Sequence, residues 1–387
     1  MGRRIAVFCD GTWNSTQSAL PTNVELLSDI VAPNGRDKVE QVTLYFPGVG
    51  TGGRIDKFFG GAMGSGLDAI LTEIYSEVAA MYRPGDSLYL FGFSRGAYTA
   101  RSLVGLLRNC GLPEPRRRAQ IRSAINHYRD RDPSSEPDTD ASLAFRQRFS
   151  PGFHTSEKDR LTRKGTSAPI QIAYLGIWDT IGALGIPNFF LCSGLFNRRY
   201  RFHDTNLSSM VASARHAVGI DERRQTYEPA LWTNLDALNA CPPDAAAPDG
   251  EPAYQQRWFP GDHGSIGGGG PIRGLAAAAM HWVAEGAERQ KLEFDGAGRS
   301  RFLKQCWPDA PLDCDPGFRG VSKGATTLFR YRDRRGPLRF EDISDQAVMR
   351  WKSSASPAAR DVVRYRPGAL GRHIDRLDRP PEAPSKA

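Results

Sequence analysis

The run Leu88-Tyr89-Leu90-Phe91-Gly92-Phe93-Ser94-Arg95-Gly96 constrains the fold of this chain more than any other stretch. An apolar strand, Ser87 to Phe91, enters a G-x-S-x-G pentapeptide, and a helix-compatible segment, Ala97 to Leu107, follows at once. In that strand–turn–helix context the pentapeptide forms a nucleophile elbow. So tight a turn holds its serine in a strained backbone conformation. Glycines two residues to either side, Gly92 and Gly96, let neighbouring backbone approach without a Cβ. The hydroxyl then projects above the sheet, close to the positive end of the next helix. Ser94 is thereby nominated as a nucleophile, and the expected fold class is α/β, with a doubly wound, mostly parallel sheet.

A serine hydroxyl is a weak nucleophile and needs a base, which in turn needs an orienting carboxylate. In this kind of fold the partners follow in the order Ser, Asp or Glu, His. The strand-like run Ile170 to Ile177 ends at Trp178-Asp179-Thr180, which puts a carboxylate at the same sheet edge as the elbow. Asp179 is the expected acid; its competing role is a cap for the next segment. Of the seven histidines, His127, His154 and His203 lie in polar, arginine-rich surroundings, His216 and His281 in helical patterns, and His373 near the C-terminus. His263 differs, because Trp258-Phe259-Pro260-Gly261-Asp262-His263-Gly264 opens from an apolar element into a glycine-rich loop. It is the expected base. For the oxyanion hole, the amide of Arg95 follows the nucleophile, and the loop after the first strand, Asp10-Gly11-Thr12, offers a second donor from Gly11 or Thr12. Asp10 itself is a turn-former, a support for the site, or half of a metal site.

Alternation along the chain supports parallel strands covered by helices. Strands are expected at 4–9, 41–46, 86–91, 170–177 and 255–259, and helices near 64–82, 97–108, 207–217 and 272–288. A single catalytic domain over 1–370 is expected, with 113–169 as an insertion of helix and loose loop, and 371–387 as a disordered tail. No stretch approaches the length of apolar sequence that spans a membrane. Met1-Gly2-Arg3-Arg4 leads straight into a strand without a secretory apolar region. Six scattered cysteines without C-x-x-C pairing suggest reduced thiols and synthesis in the cytoplasm, with export by a leaderless system left open.

The net charge of +8 suits either a surface drawn to anionic headgroups or an ordinary solvated arginine-rich face. Phe189, Phe190, Leu191 and Phe196, followed by Arg198 and Arg199, form an apolar run with a basic flank. Residues 186–202 therefore read as an interfacial lid, or as buried core. Gly48-Val49-Gly50-Thr51-Gly52-Gly53 matches G-x-G-x-x-G, but Pro47 interrupts the strand-to-loop junction and Glu73, at the ribose-ligand offset, sits in a helical pattern. No recognised nucleic-acid motif is present, and nucleic acid is not an expected partner.

Several spaced segments together resemble one family. They are Phe8-Cys9-Asp10-Gly11-Thr12-Trp13-Asn14, Thr22-Asn23-Val24, Tyr45 to Gly52, Gly92 to Ala97, Gly176 to Thr180, Asp221-Glu222-Arg223-Arg224 and Trp258 to His263. The family is that of α/β-hydrolases containing type VI secretion phospholipase effectors. The resemblance implies a serine lipase or esterase, with its triad on Ser94, Asp179 and His263 and with Asp10, Gly92 and Gly96 supporting the site. It implies a phospholipase A acting on a phospholipid or other lipid ester, without metal or organic cofactor. Peripheral membrane contact and an immunity or secretion partner protein are implied with it. The alternatives are a carboxylesterase for small soluble esters and a non-catalytic scaffold. One departure stands out: the family's histidine loop typically reads His-x-Asp-x-Gly-Gly-Gly, whereas Ser265 occupies the aspartate position here and Asp262 precedes the histidine.

Overall fold

A computed structural model describes residues 2–11, 20–48, 63–114, 119–130, 132–181, 206–241, 250–270, 272–312, 332–353 and 364–379. Among these, the main sheet has six strands: β1 (Arg4–Cys9), β2 (Gln41–Phe46), β3 (Ser87–Phe93), β4 (Gln171–Trp178), β5 (Ala214–Gly219) and β6 (Tyr254–Phe259). Their spatial order is β2-β1-β3-β4-β5-β6, with every pairing parallel. The fold is α/β, as expected.

Parallel central strands are buried on both faces, so alternate residues supply two separate cores. Ile5, Val7, Leu88, Leu90, Leu175 and Ile177 face helices α2 (Met63–Met81), α3 (Arg95–Cys110) and α4 (Ile121–Arg129). Ala6, Phe8, Tyr89, Phe91, Tyr174 and Trp178 point the other way, against α1 (Asn23–Ser28) and a long helix at Gly274–Arg289. Phe8 stacks on Phe91 across the β1–β3 pair, with ring centroids 4.5 Å apart.

The region 119–169 packs more firmly than a loose insertion. Ile121, Ala124, Ile125 and Tyr128 enter the core beside α3, and α5 (Asp140–Phe149) carries the fully buried Arg146. Its guanidinium donates to Asp159 (2.8 Å) and to the Asn109 carbonyl (2.7 Å), which anchors the region to the end of α3.

Two expectations are corrected. Residues 214–219 are a strand, not the end of a helix. Ala214-Arg215-His216-Ala217 looks helical by composition, but between β4 and β6 its backbone is satisfied by ladders on both sides, and tertiary pairing overrides a weak propensity. The two polar side chains are paired: Arg215 donates to Glu285 (3.1 Å) and the Trp282 carbonyl (2.6 Å), and His216 Nδ1 meets Gln256 (3.0 Å). Nor does disorder begin at residue 371. Gly368–His373 and Ile374–Leu377 are helical, and Leu370 and Leu377 are buried.

These C-terminal residues cover the outer side of the sheet. Ile343, Ala347, Trp351, Tyr365, Leu370 and Leu377 pack on Val218 and Trp258, and the Ser344 amide donates to the Trp258 carbonyl (2.9 Å). A covered edge strand cannot recruit another chain. Trp351 lies at the centre, its Nε1–H donating to Asp378 (2.7 Å). Trp351→Ala is expected to cost about 3–5 kcal/mol in urea denaturation, the usual scale for emptying a buried aromatic site. A loss below about 1 kcal/mol would mean that this cluster does not hold the segment to the sheet.

Candidate active site

The sheet order reverses at β1: its chain continues to β2 on one side, while β3 pairs on the other. Crevices at such switch points, beyond the carboxyl ends of the strands, are where open α/β sheets bind ligands. β3 ends there in the elbow. Ser94 has φ 58° and ψ −121°, a conformation that L-residues rarely adopt, and its amide donates to the Trp178 carbonyl (3.1 Å). A Cβ on Gly96 would lie 2.0 Å from the Cys9 carbonyl oxygen, and one on Gly92 would lie 2.6 Å from the Gly96 carbonyl oxygen. Both positions of the pentapeptide therefore require glycine: Gly96 because α3 starts in direct contact with the end of β1, and Gly92 because the first residues of α3 fold back against it.

Three distant parts of the chain meet at this serine. Ser94 Oγ is 2.9 Å from His263 Nε2, and His263 Nδ1 is 2.6 Å from Asp179 Oδ2. All three residues are buried, Asp179 completely. Asp179 sits just past β4 with φ 36°, a second left-handed non-glycine residue at the site. His263 begins a short helix, His263–Gly267, whose N-cap is Asp262; its Oδ1 accepts from the Ser265 amide (2.8 Å). The aspartate that precedes the histidine thus orders the loop by capping, with Ser265 as its partner. The imidazole lies against the Phe93 ring (centroids 4.7 Å apart) and meets Tyr227 edge-on (4.9 Å). Its backbone N–H faces the buried Glu222 (3.3 Å).

The Asp179 carboxylate accepts from four donors. Oδ1 takes the Gly219 amide (2.9 Å) and Arg334 Nη1 (2.6 Å); Oδ2 takes Arg334 Nη2 (2.9 Å) besides His263. Burial alone would raise this carboxyl's pKa, but the Arg334 charge and the bonds from His263 and Arg334 outweigh it and hold it well below the usual carboxylate range. Sequence reasoning missed Arg334. It lies in the charged run Arg332-Asp333-Arg334-Arg335, which carries no signal that one member is buried.

Asp10, just past β1, makes three contacts. Its Oδ2 accepts from Thr22 Oγ1 and from the Tyr45 hydroxyl (2.8 Å each), and its Oδ1 accepts from the Gly11 amide (2.6 Å). Among the described residues all three of these contacts are donors. The Gly11 N–H, one of the two expected oxyanion donors, is thereby engaged by Asp10. Thr12 and the whole proposed lid, including Phe189, Phe190, Leu191, Phe196, Arg198 and Arg199, lie outside the described residues. So does most of the glycine run from 48 to 53, while Glu73 lies inside α2. Asn23 joins this side to the histidine loop, its Nδ2 donating to the carbonyls of Ile266 (2.8 Å) and Ala276 (3.0 Å). His216 is excluded as a base: burial pushes its pKa down to about 3, and Nε2 accepts from the Thr180 amide (3.2 Å).

Beneath the histidine loop, Asp221 Oδ2 accepts from the Gly261 amide (2.7 Å) and the Tyr365 hydroxyl (3.0 Å). Burial nevertheless pushes its carboxyl up from 3.8 to about 6. An acid whose folded pKa exceeds its unfolded one favours the protonated fold. Its contribution is full below about pH 4 and is lost as pH rises through about 6. Asp221→Asn should therefore gain on the wild type in urea denaturation between about pH 4 and pH 7, by up to about 3 kcal/mol. A difference that does not change with pH would exclude this titration.

The profile of the family described as "T6SS, Phospholipase effector Tle1-like, catalytic domain" matches residues 3–286. An uncharacterized protein of Saccharomyces cerevisiae, YEL023C, is 26% identical over 253 residues, covering 60% of this chain and 33% of its own length. Among solved structures, the Tle1 effector bound to the VgrG spike of the type 6 secretion system aligns at 18% identity and a TM-score of 0.36, over 69% of this chain and 51% of that one. An uncharacterized protein from Pseudomonas aeruginosa aligns at 15% identity and a TM-score of 0.39, over 79% and 48%. The chain thus spans a third of that yeast relative and about half of those two structures. Since the profile covers well over half of its length, the chain belongs to the family of type VI secretion, Tle1-like phospholipase effector catalytic domains.

Proposed function

We propose that this protein is a serine ester hydrolase, a phospholipase A that releases fatty acid from glycerophospholipids by two-step acyl transfer. The observation that carries this reading is the continuous relay from Ser94 Oγ to His263 (2.9 Å) to Asp179 (2.6 Å) at a strained elbow. Distances of this kind let the imidazole take the hydroxyl proton as Oγ attacks the ester carbonyl. Asp179, held ionised, fixes the tautomer with Nδ1–H toward itself and stabilises the imidazolium. The same imidazolium then protonates the departing lysophospholipid oxygen. Water, deprotonated by His263, cleaves the acyl-enzyme and restores Ser94. For the tetrahedral oxyanion, the Arg95 amide in the first turn of α3 lacks an intrahelical acceptor and can donate. Since the Gly11 amide is engaged, Thr12 is assigned the second donor.

Family membership supports phospholipid as the substrate class and a role as a secreted effector. A secretion partner and an immunity protein belong to that role. Among the described residues, no helix is long and apolar enough to cross a membrane. Contact with the bilayer is assigned to residues 186–202, and the catalytic domain to 1–379, since the helical residues up to Leu377 pack on it. Arg95 also supports an anionic substrate. Burial pushes its guanidinium down to about 10, and among the described residues no hydrogen bond or ion pair engages it. A desolvated cation one residue from the nucleophile suits the phosphate of a diester beside the scissile bond.

The direct test is mass spectrometry of mixed phospholipid vesicles after incubation with the wild type or with Ser94→Ala. Fatty acid and lysophospholipid from the wild type alone are expected, and the lyso isomer identifies the position cut. Hydrolysis of a soluble ester without any lipid product would keep the triad and reject the substrate. Silence on both would reject the enzyme reading. Arg95→Gln keeps the backbone amide. It is expected to lower kcat/KM on phospholipid at least about tenfold more than on a short neutral ester, the scale of losing one charge-assisted contact. Equal losses on both would exclude a phosphate contact.

A further inference from the structure

The triad carboxylate is completed from outside the matched family region. Arg334 lies 48 positions beyond residue 286, the last residue of that match, yet its guanidinium grips both oxygens of Asp179. It is only 4% exposed, and Asp179 is 0% exposed. Its remaining Nη protons go to the carbonyls of Gly219 (2.7 Å) and Tyr227 (2.6 Å). Gly219 ends β5, and the Tyr227 ring lies edge-on to His263. One planar fork thus links the acid, the neighbouring strand end and the wall of the imidazole pocket.

The backbone around Arg334 is clamped to the same loop. The Arg332 amide donates to the Arg223 carbonyl (2.8 Å), and Asp333 pairs with Arg223 (2.9 Å). Further along, the Tyr365 hydroxyl donates to Asp221, which also accepts from Gly261 two residues before His263. The C-terminal segment therefore approaches the triad twice, once at the acid and once at the base loop.

We propose that Arg334 is a positioning residue of the triad, and that residues 332–353 and 364–379 complete the active site of this chain. The inference rests on the serine-hydrolase reading above. A carboxylate with no solvent exposure and no compensating cation tends to take up a proton. A protonated Asp179 could no longer accept Nδ1–H as an anion, and its two oxygens would be free to rotate. The arginine fork prevents both, because it satisfies two fixed lone-pair directions at once and does not lose its charge. Lysine would supply the charge without the fork.

The test reads the rate at which a fluorophosphonate probe labels Ser94 in the full chain, between about pH 5 and pH 9, with Ser94→Ala as the blank. This probe needs no knowledge of the substrate. Arg334→Gln is expected to slow labelling about 10- to 100-fold, the scale for misaligning a catalytic group. It should also move the acid limb upward by about 0.5–1.5 pH units, because a cation is removed from beside the Asp179–His263 pair. The other charged and titratable groups that face His263 stay in place: Glu222 at its amide, Asp262 beside it, Tyr227 at its edge, and Arg224 and Arg95 beside Tyr227. Arg334→Lys should regain part of the rate. Millimolar guanidinium should rescue Arg334→Ala, and Arg334→Gln should add less than about threefold to Asp179→Asn.

A purely structural arginine would give a smaller labelled fraction with an unchanged rate and acid limb, and effects that multiply fully with Asp179→Asn. That pattern, or labelling within about threefold of wild type, overturns the inference. Circular dichroism identifies any variant that does not fold. If Arg334→Gln fails to fold, Arg334→Lys carries the same two outcomes. A wild type that labels no more than Ser94→Ala would reject the hydrolase reading, and the positioning role with it. A labelled wild type with unaffected Arg334 variants rejects the positioning role alone.

Discussion

A carboxylate with no access to water dominates the architecture around it. Burying an ionised group is costly unless partners replace the hydration it loses. Asp179 receives them from three directions: the Gly219 amide at the end of β5, the imidazole on the loop after β6, and the guanidinium of Arg334. None of these elements is near it in sequence. The parallel sheet brings the first two to one edge because consecutive strands all end there. The C-terminal segment brings the third by docking its apolar residues on Val218 and Trp258. Packing at the outer side of the sheet and ionisation at the site are therefore coupled, since the segment that buries Trp351 also carries Arg334.

The nucleophile side is organised by close approach rather than by charge. α3 begins so near the end of β1 that Gly96 touches the Cys9 carbonyl, and the turn holds Ser94 in a conformation it would not choose alone. Such strain persists only where the surroundings over-determine it. Here the surroundings are the fully buried β1 on one side, the mostly buried β4 on the other, and the contacts of Asp10 just past β1. Asp10 gathers Gly11, Thr22 and Tyr45, while Asn23 reaches across to the carbonyls of Ile266 and Ala276. The loops that carry the elbow's neighbours and the histidine are thus tied to each other without passing through the triad.

Much of this was legible in the sequence, for identifiable reasons. The elbow, Asp179 and His263 could be found because each follows an apolar strand and sits in a short local pattern whose chemistry is restrictive. Five of the six main strands were legible because they are apolar and bounded by turn residues. The sixth, β5, was not, because Ala214-Arg215-His216-Ala217 reads as helix until Glu285, Gln256 and the Thr180 amide are brought to its two polar residues. Arg334 was invisible because its charged run reads as exposed until Asp179 is packed against it. The extent of the C-terminal structure was misjudged because its anchors, Leu370 and Leu377, are single apolar residues spaced among charges. Polar residues that are buried by long-range pairing leave no periodic trace.

The exchange at the histidine loop shows what a local pattern demands. The loop must present His263 at the start of a helical turn, and the orphan amides of that turn need an acceptor. Asp262 supplies it from the N-cap, through the Ser265 amide, so a carboxylate just before the histidine meets the requirement. The capping requirement is short-range and must be met within a few residues. Charge compensation has no such limit: a cation satisfies Asp179 equally well from any part of the chain that can be packed against it. Short motifs can therefore identify the reacting groups of such a site, while the residue that keeps its acid ionised is found only once the whole chain is folded around it.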